Sequence, residues 1–260
     1  MSDDRTVTLA PSGLEMPLLG FGTWQVTGRK GYEAIRAALE AGYRHLDTAT
    51  MYGNEGEVGR AIRDSGVARE DIFITTKLPP DRAGREHATL TGSLRALGVD
   101  AVDLWLIHWP PSRGGHTAVW REFRALRDRG LTRAIGVSNF SVAQLDDVIA
   151  DTGEAPAVNQ IPWSPWEYSA STVDEHHARG VVLEGYSPFK RSDLRHNVLT
   201  TIATAHGVTP AQVVLRWHIE HGIVVIPKSV TAERIRANLD VFSFALSKED
   251  VAHIDNLSAR

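Results

Sequence analysis

The chain has 260 residues, 42% of them hydrophobic and 23% charged, a globular balance that excludes disordered, collagen-like and coiled-coil classes. Its net charge of −4 argues against a general nucleic-acid or anionic-membrane binder, and the absence of cysteine removes disulfides, iron–sulfur clusters, thiolate zinc sites and cysteine nucleophiles. No apolar run approaches the roughly 20 residues that span a bilayer. The start MSDDRTVTLAPSGLEMPLLG lacks the basic and apolar regions of a signal peptide, so a cytoplasmic protein with no membrane partner is expected.

In chain order, Val7–Leu9 and Met16–Leu18 flank the turn residues Pro11-Ser12-Gly13 and predict an N-terminal hairpin. Eight candidate strands follow, near 18–22, 43–47, 72–77, 102–107, 133–138, 157–160, 181–186 and 223–226. Helical patterns separate them. Ala34, Ile35, Ala38 and Leu39 share one face and end at Gly42; Val119, Trp120, Phe123 and Leu126 form another, stopped by Gly130. A third opens at Ser141 with Gln144 three residues on, the signature of a capping box. Near-continuous apolar strands alternating with helices imply a parallel sheet covered by helices, and eight of them close a (β/α)8 TIM barrel. No linker or low-complexity tract marks a second domain, so residues 1–260 read as one barrel with the hairpin closing its bottom.

The strands end in a series of polar residues: Asp47, Lys77, His108, Ser138-Asn139, Asn159-Gln160, Tyr186-Ser187 and Lys228-Ser229. From Asp47 to Ser138 the spacing is roughly thirty residues, one βα unit, so these positions converge on the C-terminal mouth where barrels place their chemistry. Taken singly each has a plain structural reading: Asp47 as a helix cap, Lys77 as a solvated loop cation, His108 as a hydrogen-bonded core histidine and Tyr52 as a packing aromatic. Together they form an acid, a cation, an imidazole and a phenol at one mouth. A phenol of pKa about 10 is a poor proton donor. A neighbouring ammonium lowers that value, a carboxylate holds the ammonium in place, and an imidazole orients the oxygen to be protonated. Lys228, Ser229 and Arg234, at the last strand and the helix after it, suggest an anion pocket, whereas Arg236 reads as a solvated helix residue.

Other motifs fail. Gly20-Phe21-Gly22-Thr23-Trp24-Gln25 lacks the third glycine of a dinucleotide fingerprint, there is no phosphate-binding P-loop, and Gly136-Val137-Ser138-Asn139-Phe140 lacks the last glycine of a nucleophile elbow. His176-His177 has no metal-ligand spacing and reads as a solvated helical pair; no metal is expected. A glycosidase would need two acids at the mouth, and Glu184 falls within a strand.

The chain resembles the aldo-keto reductase superfamily, including its bacterial diketogluconate and methylglyoxal reductases. The similarity lies in GFGTW (20–24), HLDTATMYGNEGEVG (45–59), TTKL (75–78), LIHWP (106–110), IGVSNF (135–140), VNQ (158–160), YSPF (186–189) and IPKSVTAERIRANLDVF (226–242). The resemblance implies a TIM barrel that binds NADPH across its mouth and reduces small carbonyl compounds as a monomer. It implies a catalytic tetrad of Asp47, Tyr52, Lys77 and His108, with Tyr52 as general acid. It further implies that Ser138, Asn139 and Gln160 bind the nicotinamide carboxamide, that Tyr186 stacks on the ring and that Ser187 meets the pyrophosphate. Lys228, Ser229 and Arg234 match the 2′-phosphate positions, Asn238 an adenine contact, and the GFGTW segment places Gly22, Thr23 and Trp24 beside the cofactor. Trp24 and Trp109 would line an apolar substrate pocket, with Trp163 and Trp166 either joining them or packing beneath a loop. Ile161-Pro162-Trp163 and Ala237 depart from the family pattern, and the short stretch after 247–257 leads us to expect an open, permissive pocket. The competing readings are a nicotinamide-binding regulatory or structural protein with vestigial chemistry, marked by a broken tetrad, and a barrel isomerase or hydrolase that uses Lys77 and Asp47 without nicotinamide.

Overall fold

The computed structural model describes residues 5–111 and 114–259. The strands are β1 (Thr6–Leu9), β2 (Leu14–Pro17), β3 (Phe21–Gly22), β4 (His45–Asp47), β5 (Phe73–Leu78), β6 (Val102–Ile107), β7 (Thr132–Ser138), β8 (Val158–Pro162), β9 (Val182–Tyr186) and β10 (Val224–Ile226). The helices are α1 (Gly28–Ala41), α2 (Glu55–Ser65), α3 (Glu86–Leu97), α4 (His116–Asp128), α5 (Val142–Thr152), α6 (Ala170–His177), α7 (Asn197–His206), α8 (Pro210–Glu220), α9 (Ala232–Leu239) and α10 (Lys248–Asp255).

β3 to β10 lie side by side in chain order, every neighbouring pair parallel. The seam between the two ends of the sheet is closed by backbone: Val225 N–H donates to Leu18 O at 2.8 Å and Gly20 N–H to Val225 O at 2.9 Å. The fold is therefore a TIM barrel. β3 itself has only two residues, fewer than the run 18–22 suggests, because Leu18 to Gly20 serve this seam rather than a regular ladder. β5 and β6 are buried at every position, as expected of strands covered on both faces. β1 and β2 pair antiparallel, Leu9 opposite Leu14, and bury Leu9 and Met16 completely. Their turn borders a small cleft with Arg133, Ala134 and Ala157 at the entry ends of β7 and β8, which places the hairpin across the bottom.

Helix ends follow the residue signals. Gly42 ends α1 at φ 115°, a conformation that glycine adopts without strain. Ser141 and Gln144 form the reciprocal capping box of α5. The pair His176-His177 behaves differently from its solvated reading. His176 is buried, its Nε2 within 2.9 Å of Asn159 Nδ2 and its Nδ1 within 2.7 Å of Thr172 O, because α6 turns that face against β8. Among the described residues no single helix is long and apolar enough to cross a membrane.

Candidate active site

β4, β5 and β6 deliver three of the polar side chains. Asp47 closes β4, Lys77 is the last residue but one of β5, and His108 follows β6 directly. The fourth rides on a short 3-10 turn, Thr50–Tyr52. That turn is tied to β5 by Thr50 Oγ1 donating to Lys77 O at 2.9 Å and lies 3.1 Å from Ser93 Oγ. Ser93 and Thr76 in turn donate to the two oxygens of buried Glu55, at 3.1 and 2.6 Å. A second set of bonds brackets the turn: Asn54, just after it, donates from Nδ2 to Thr23 O and to Val26 O, each at 2.8 Å, and Thr48, just before it, donates from Oγ1 to Asn54 Oδ1 at 3.0 Å.

Lys77 is fully buried. Its Nζ donates to Asp47 Oδ1 at 2.6 Å, Asp47 Oδ2 at 2.7 Å and Thr48 O at 2.8 Å, and sits 5.2 Å from the centre of the Tyr52 ring. Burial alone would depress the ammonium, but the Asp47 and Tyr52 charges raise it above its ordinary value and keep it a cation. Gln160 Nε2 completes the cage with a 2.9 Å bond to Asp47 Oδ2. The Tyr52 ring meets His108 edge-on at 5.7 Å. Burial, with Lys77's charge second, lowers the His108 imidazole to about 2, so it is neutral, and its Nδ1 has no protein partner.

The phenol departs from the simple argument that an ammonium lowers its pKa. Burial pushes Tyr52 above 10; the Lys77 charge pulls downward but is outweighed, and Asp47 adds to the rise. An ammonium already matched by a carboxylate cannot by itself compensate the desolvation of a phenolate.

Asp47, Tyr52 and His108 floor a cavity of about 1000 Å³ at the barrel mouth, with Lys77 buried behind them. Gly22, Trp24, Asp47, Tyr52, His108, Trp109, Ser138, Asn139, Gln160, Tyr186, Ser187 and Lys228 all border it. Gly22 permits a close approach of strands here, since a Cβ would meet Ile226 O at 2.9 Å. Ser138, Asn139 and Tyr186 form one hydrogen-bonded wall: Ser138 Oγ donates to Gln160 O at 2.8 Å, Asn139 Nδ2 to His108 O at 3.0 Å and Tyr186 OH to Asn139 Oδ1 at 2.9 Å. Among the described residues three non-glycine residues have positive φ, Gln25 (58°), Asn139 (61°) and Ser187 (57°), and all three border this cavity. Strained backbone concentrated in one place is a mark of a functional surface.

Other expected residues lie elsewhere. Thr23 is buried with its hydroxyl on Asp47 O at 2.9 Å, so it holds the strand end rather than the cavity. Ser229 Oγ accepts from Thr231 N–H at 3.2 Å, Arg234 is exposed on α9 and Asn238 is buried beneath that helix; none borders the cavity. Trp163 is buried among Leu183, Leu199 and Trp217, and the partly buried Trp166 packs against the same cluster; neither borders the cavity. The cavity also gains Gln25, Thr27, Met51, Phe189 and Lys190. Met51, between two motif residues, was within reach of the sequence; Gln25 and Lys190 carried no signal, being ordinary polar residues in loops whose course only the fold defines.

A buried ion pair, a phenol and a neutral imidazole under a long groove at the mouth of a TIM barrel define an oxidoreductase-type site without a Rossmann domain. The Aldo/keto reductase family model matches residues 18–259, and the chain belongs to that family. An aldo-keto reductase of Mycolicibacterium smegmatis is 47% identical over 249 residues, covering 94% of this chain and 90% of that protein. The 2,5-diketo-D-gluconic acid reductase B of a Corynebacterium species is 44% identical, covering 92% and 88%. The crystal structure of a Bombyx mori aldo-keto reductase in complex with NADP superposes with a TM-score of 0.91 at 32% identity, covering 97% of this chain and 92% of the other.

Proposed function

We propose that the protein reduces aldehydes and ketones to alcohols with NADPH, Tyr52 delivering the proton. The observation that carries this reading is the buried Lys77–Asp47 pair, with Lys77 behind Tyr52 and beneath the floor of the cavity. Residues along the groove suit the cofactor. Ser138, Asn139 and Gln160 offer amide and hydroxyl groups for a carboxamide, Tyr186 an aromatic face, and Lys228 a cation at the far edge of the cavity, with Ser229, Arg234 and Asn238 beyond it. When bound there, NADPH supplies the hydride that reaches the carbonyl carbon.

The chain's own groups do the rest. His108, neutral and bordering the cavity edge-on to the Tyr52 ring, orients the carbonyl oxygen beside Tyr52. As negative charge develops on that oxygen, the Tyr52 hydroxyl donates its proton, and Lys77 stabilises the phenolate that remains. Asp47 keeps Lys77 charged and fixed, and Gln160 and Thr48 keep Asp47 and Lys77 in register. Trp24, Met51 and Trp109, exposed at 48%, 53% and 39%, give the entrance an open apolar rim that admits substrates of varied shape. We read the chain as one domain, acting as a cytoplasmic monomer on small molecules; the single eight-stranded barrel sheet supports the first of these.

The test is direct. Incubation with NADPH and a panel of simple aldehydes and ketones should consume NADPH absorbance and yield the alcohols. A protein that binds NADPH but turns over no carbonyl compound would favour the regulatory reading instead, which the intact set Asp47, Tyr52, Lys77 and His108 argues against.

A further inference from the structure

One layer beneath Asp47 and Lys77 the barrel interior holds two polar side chains that the reaction above does not use. Glu184, on β9, and His45, on β4, are both wholly buried, with Glu184 Oε1 3.9 Å from His45 Nε2. His45 Nε2 is already engaged with Thr75 Oγ1 at 3.1 Å. Among the described residues neither carboxyl oxygen of Glu184 has a partner within hydrogen-bond distance, the short bond of the nearby Gln160 amide going to Asp47, and His45 Nδ1 has none either. Sterics confine the ring further, for a Cβ on Gly20 would lie 2.4 Å from that nitrogen. The nearby Gln160 amide and the Lys77 charge favour the carboxylate, but burial and the Asp47 charge outweigh them, so the side chain holds its proton. The imidazole is held neutral by burial, with Lys77's charge adding to the effect.

A polar pair with orphan atoms weakens the core, and nothing in its packing requires it. Its position does suggest a use. Glu184 stands opposite Gln160 in the β8–β9 register, and Gln160 is the residue that bonds Asp47. His45 precedes Asp47 by two positions on β4, so both face the interior. The ionisable groups that face Glu184 are His45 and Asp47 from β4, Lys77 from β5 and Tyr52 from the 3-10 turn; β8 offers neutral Gln160, and β10 offers the apolar run Val224–Ile226.

We infer that Glu184 is a positioning residue for proton delivery: a buried carboxylic acid whose own proton keeps the layer beneath Asp47 and Lys77 uncharged, and whose ionisation in alkaline solution tightens the hold of Tyr52 on its proton. The inference rests on the carbonyl-reductase reading. The step is a simple ionisation, in which the Glu184 O–H bond breaks, the electron pair stays on oxygen and the proton passes to solvent. The new anion opposes formation of a second one at the phenol and competes with it for the Lys77 field. Burial first, and Asp47's charge second, raise the Glu184 carboxyl to about 8, so the change falls below the range in which the phenol itself ionises.

Two measurements test it. Infrared difference titration of the wild-type protein should show a protonated-carboxyl stretch at pH 6.5 that fades with a midpoint near pH 8 and is missing from Glu184→Gln. In NADPH-dependent reduction of an aromatic aldehyde, the alkaline midpoint of kcat should sit roughly half a pH unit or more lower in Glu184→Gln, a threefold or greater loss of proton affinity at the phenol. If that variant does not fold, Glu184→Met, equally uncharged, is read in the same two assays. Absence of the carboxyl band in the wild type at pH 6.5, or superimposable kcat profiles, overturns the inference. Failure of the wild type to oxidise NADPH at any pH overturns the reductase reading and this role with it, while the infrared band still reports the state of Glu184.

Discussion

The two ends of the groove are built in opposite ways. At the β4–β6 end, Asp47, Lys77 and His108 are almost completely buried; short bonds lock Asp47 and Lys77 to each other and to Thr48 and Gln160, and the His108 ring packs edge-on against Tyr52. At the β10–α9 end, Lys228 and Arg234 stand exposed, and Ser229 is engaged only with the turn into α9. The difference follows from what each end must do. Proton transfer to a nascent oxyanion requires groups fixed in advance in a dry place, where their fields are strong. Holding a phosphate requires only cations that keep their water until the anion arrives. Damage at the first end should therefore appear in chemistry and stability together, and damage at the second in cofactor affinity alone.

The sharpest break is Tyr52→Phe. It removes the proton donor but leaves the ring beside His108. We expect kcat to fall on the order of 10³–10⁴-fold while NADPH affinity, read by fluorescence titration, is unchanged. Because burial raises the phenol, the wild-type rate of reduction should stay level through neutral pH and decline only as pH climbs through the raised value, where the donor is lost. Next comes Lys77→Met, which strands the Asp47 carboxylate without its partner. Stability should drop by about 3–5 kcal/mol, visible in urea unfolding, together with loss of turnover.

Acid should act on the buried histidines without any mutation. His45, His108 and His218 are neutral in the folded protein, lowered by burial to about 3, 2 and 4. The unfolded chain binds protons at these histidines below pH 6.5, so their contribution is complete above that value and drains away as pH falls toward the folded values. At pH 5 each costs roughly 2 kcal/mol. Glu184 acts in the opposite sense, being protonated in the folded state and ionised in the unfolded one over this window, and offsets about one of the three. The net expectation is a melting temperature lower by about 10 °C at pH 5 than at pH 7, checked by calorimetry.

The same asymmetry governed what could be read from the sequence. The strand-end residues of the buried end were legible because the βα repeat brings Asp47, Lys77 and His108 to one mouth, and the barrel follows from the alternation itself. Helix ends were legible wherever a side chain makes its own cap, as at Ser141. What escaped depended on tertiary burial. His176 looks like a surface histidine until α6 presses it on Asn159, and the outweighing of Lys77 by desolvation at Tyr52 requires knowing how deep the phenol lies. Gln25 and Ser187 in the left-handed region carry no residue signature, since glycine would have been the expected choice.

The exposed end offers the smaller effects. Lys228→Ala should weaken NADPH binding about tenfold, the value of one charge-assisted phosphate contact, and leave kcat and NADH binding near their original values. Added salt should reproduce part of that loss in the wild type. The finest distinction lies between two arginines on α9. That helix buries Ile235 and Asn238, so Arg234 and Arg236, each one residue from Ile235, flank the buried stripe on opposite sides. Only one of them can then share a phosphate with Lys228. If it is Arg234, Arg234→Ala should raise the NADPH dissociation constant several-fold, and Arg236→Ala should stay within twofold of wild type in the same fluorescence titration. An equal response from both variants would mean that the end of the groove acts as a diffuse positive surface and that no phosphate site of defined geometry exists there.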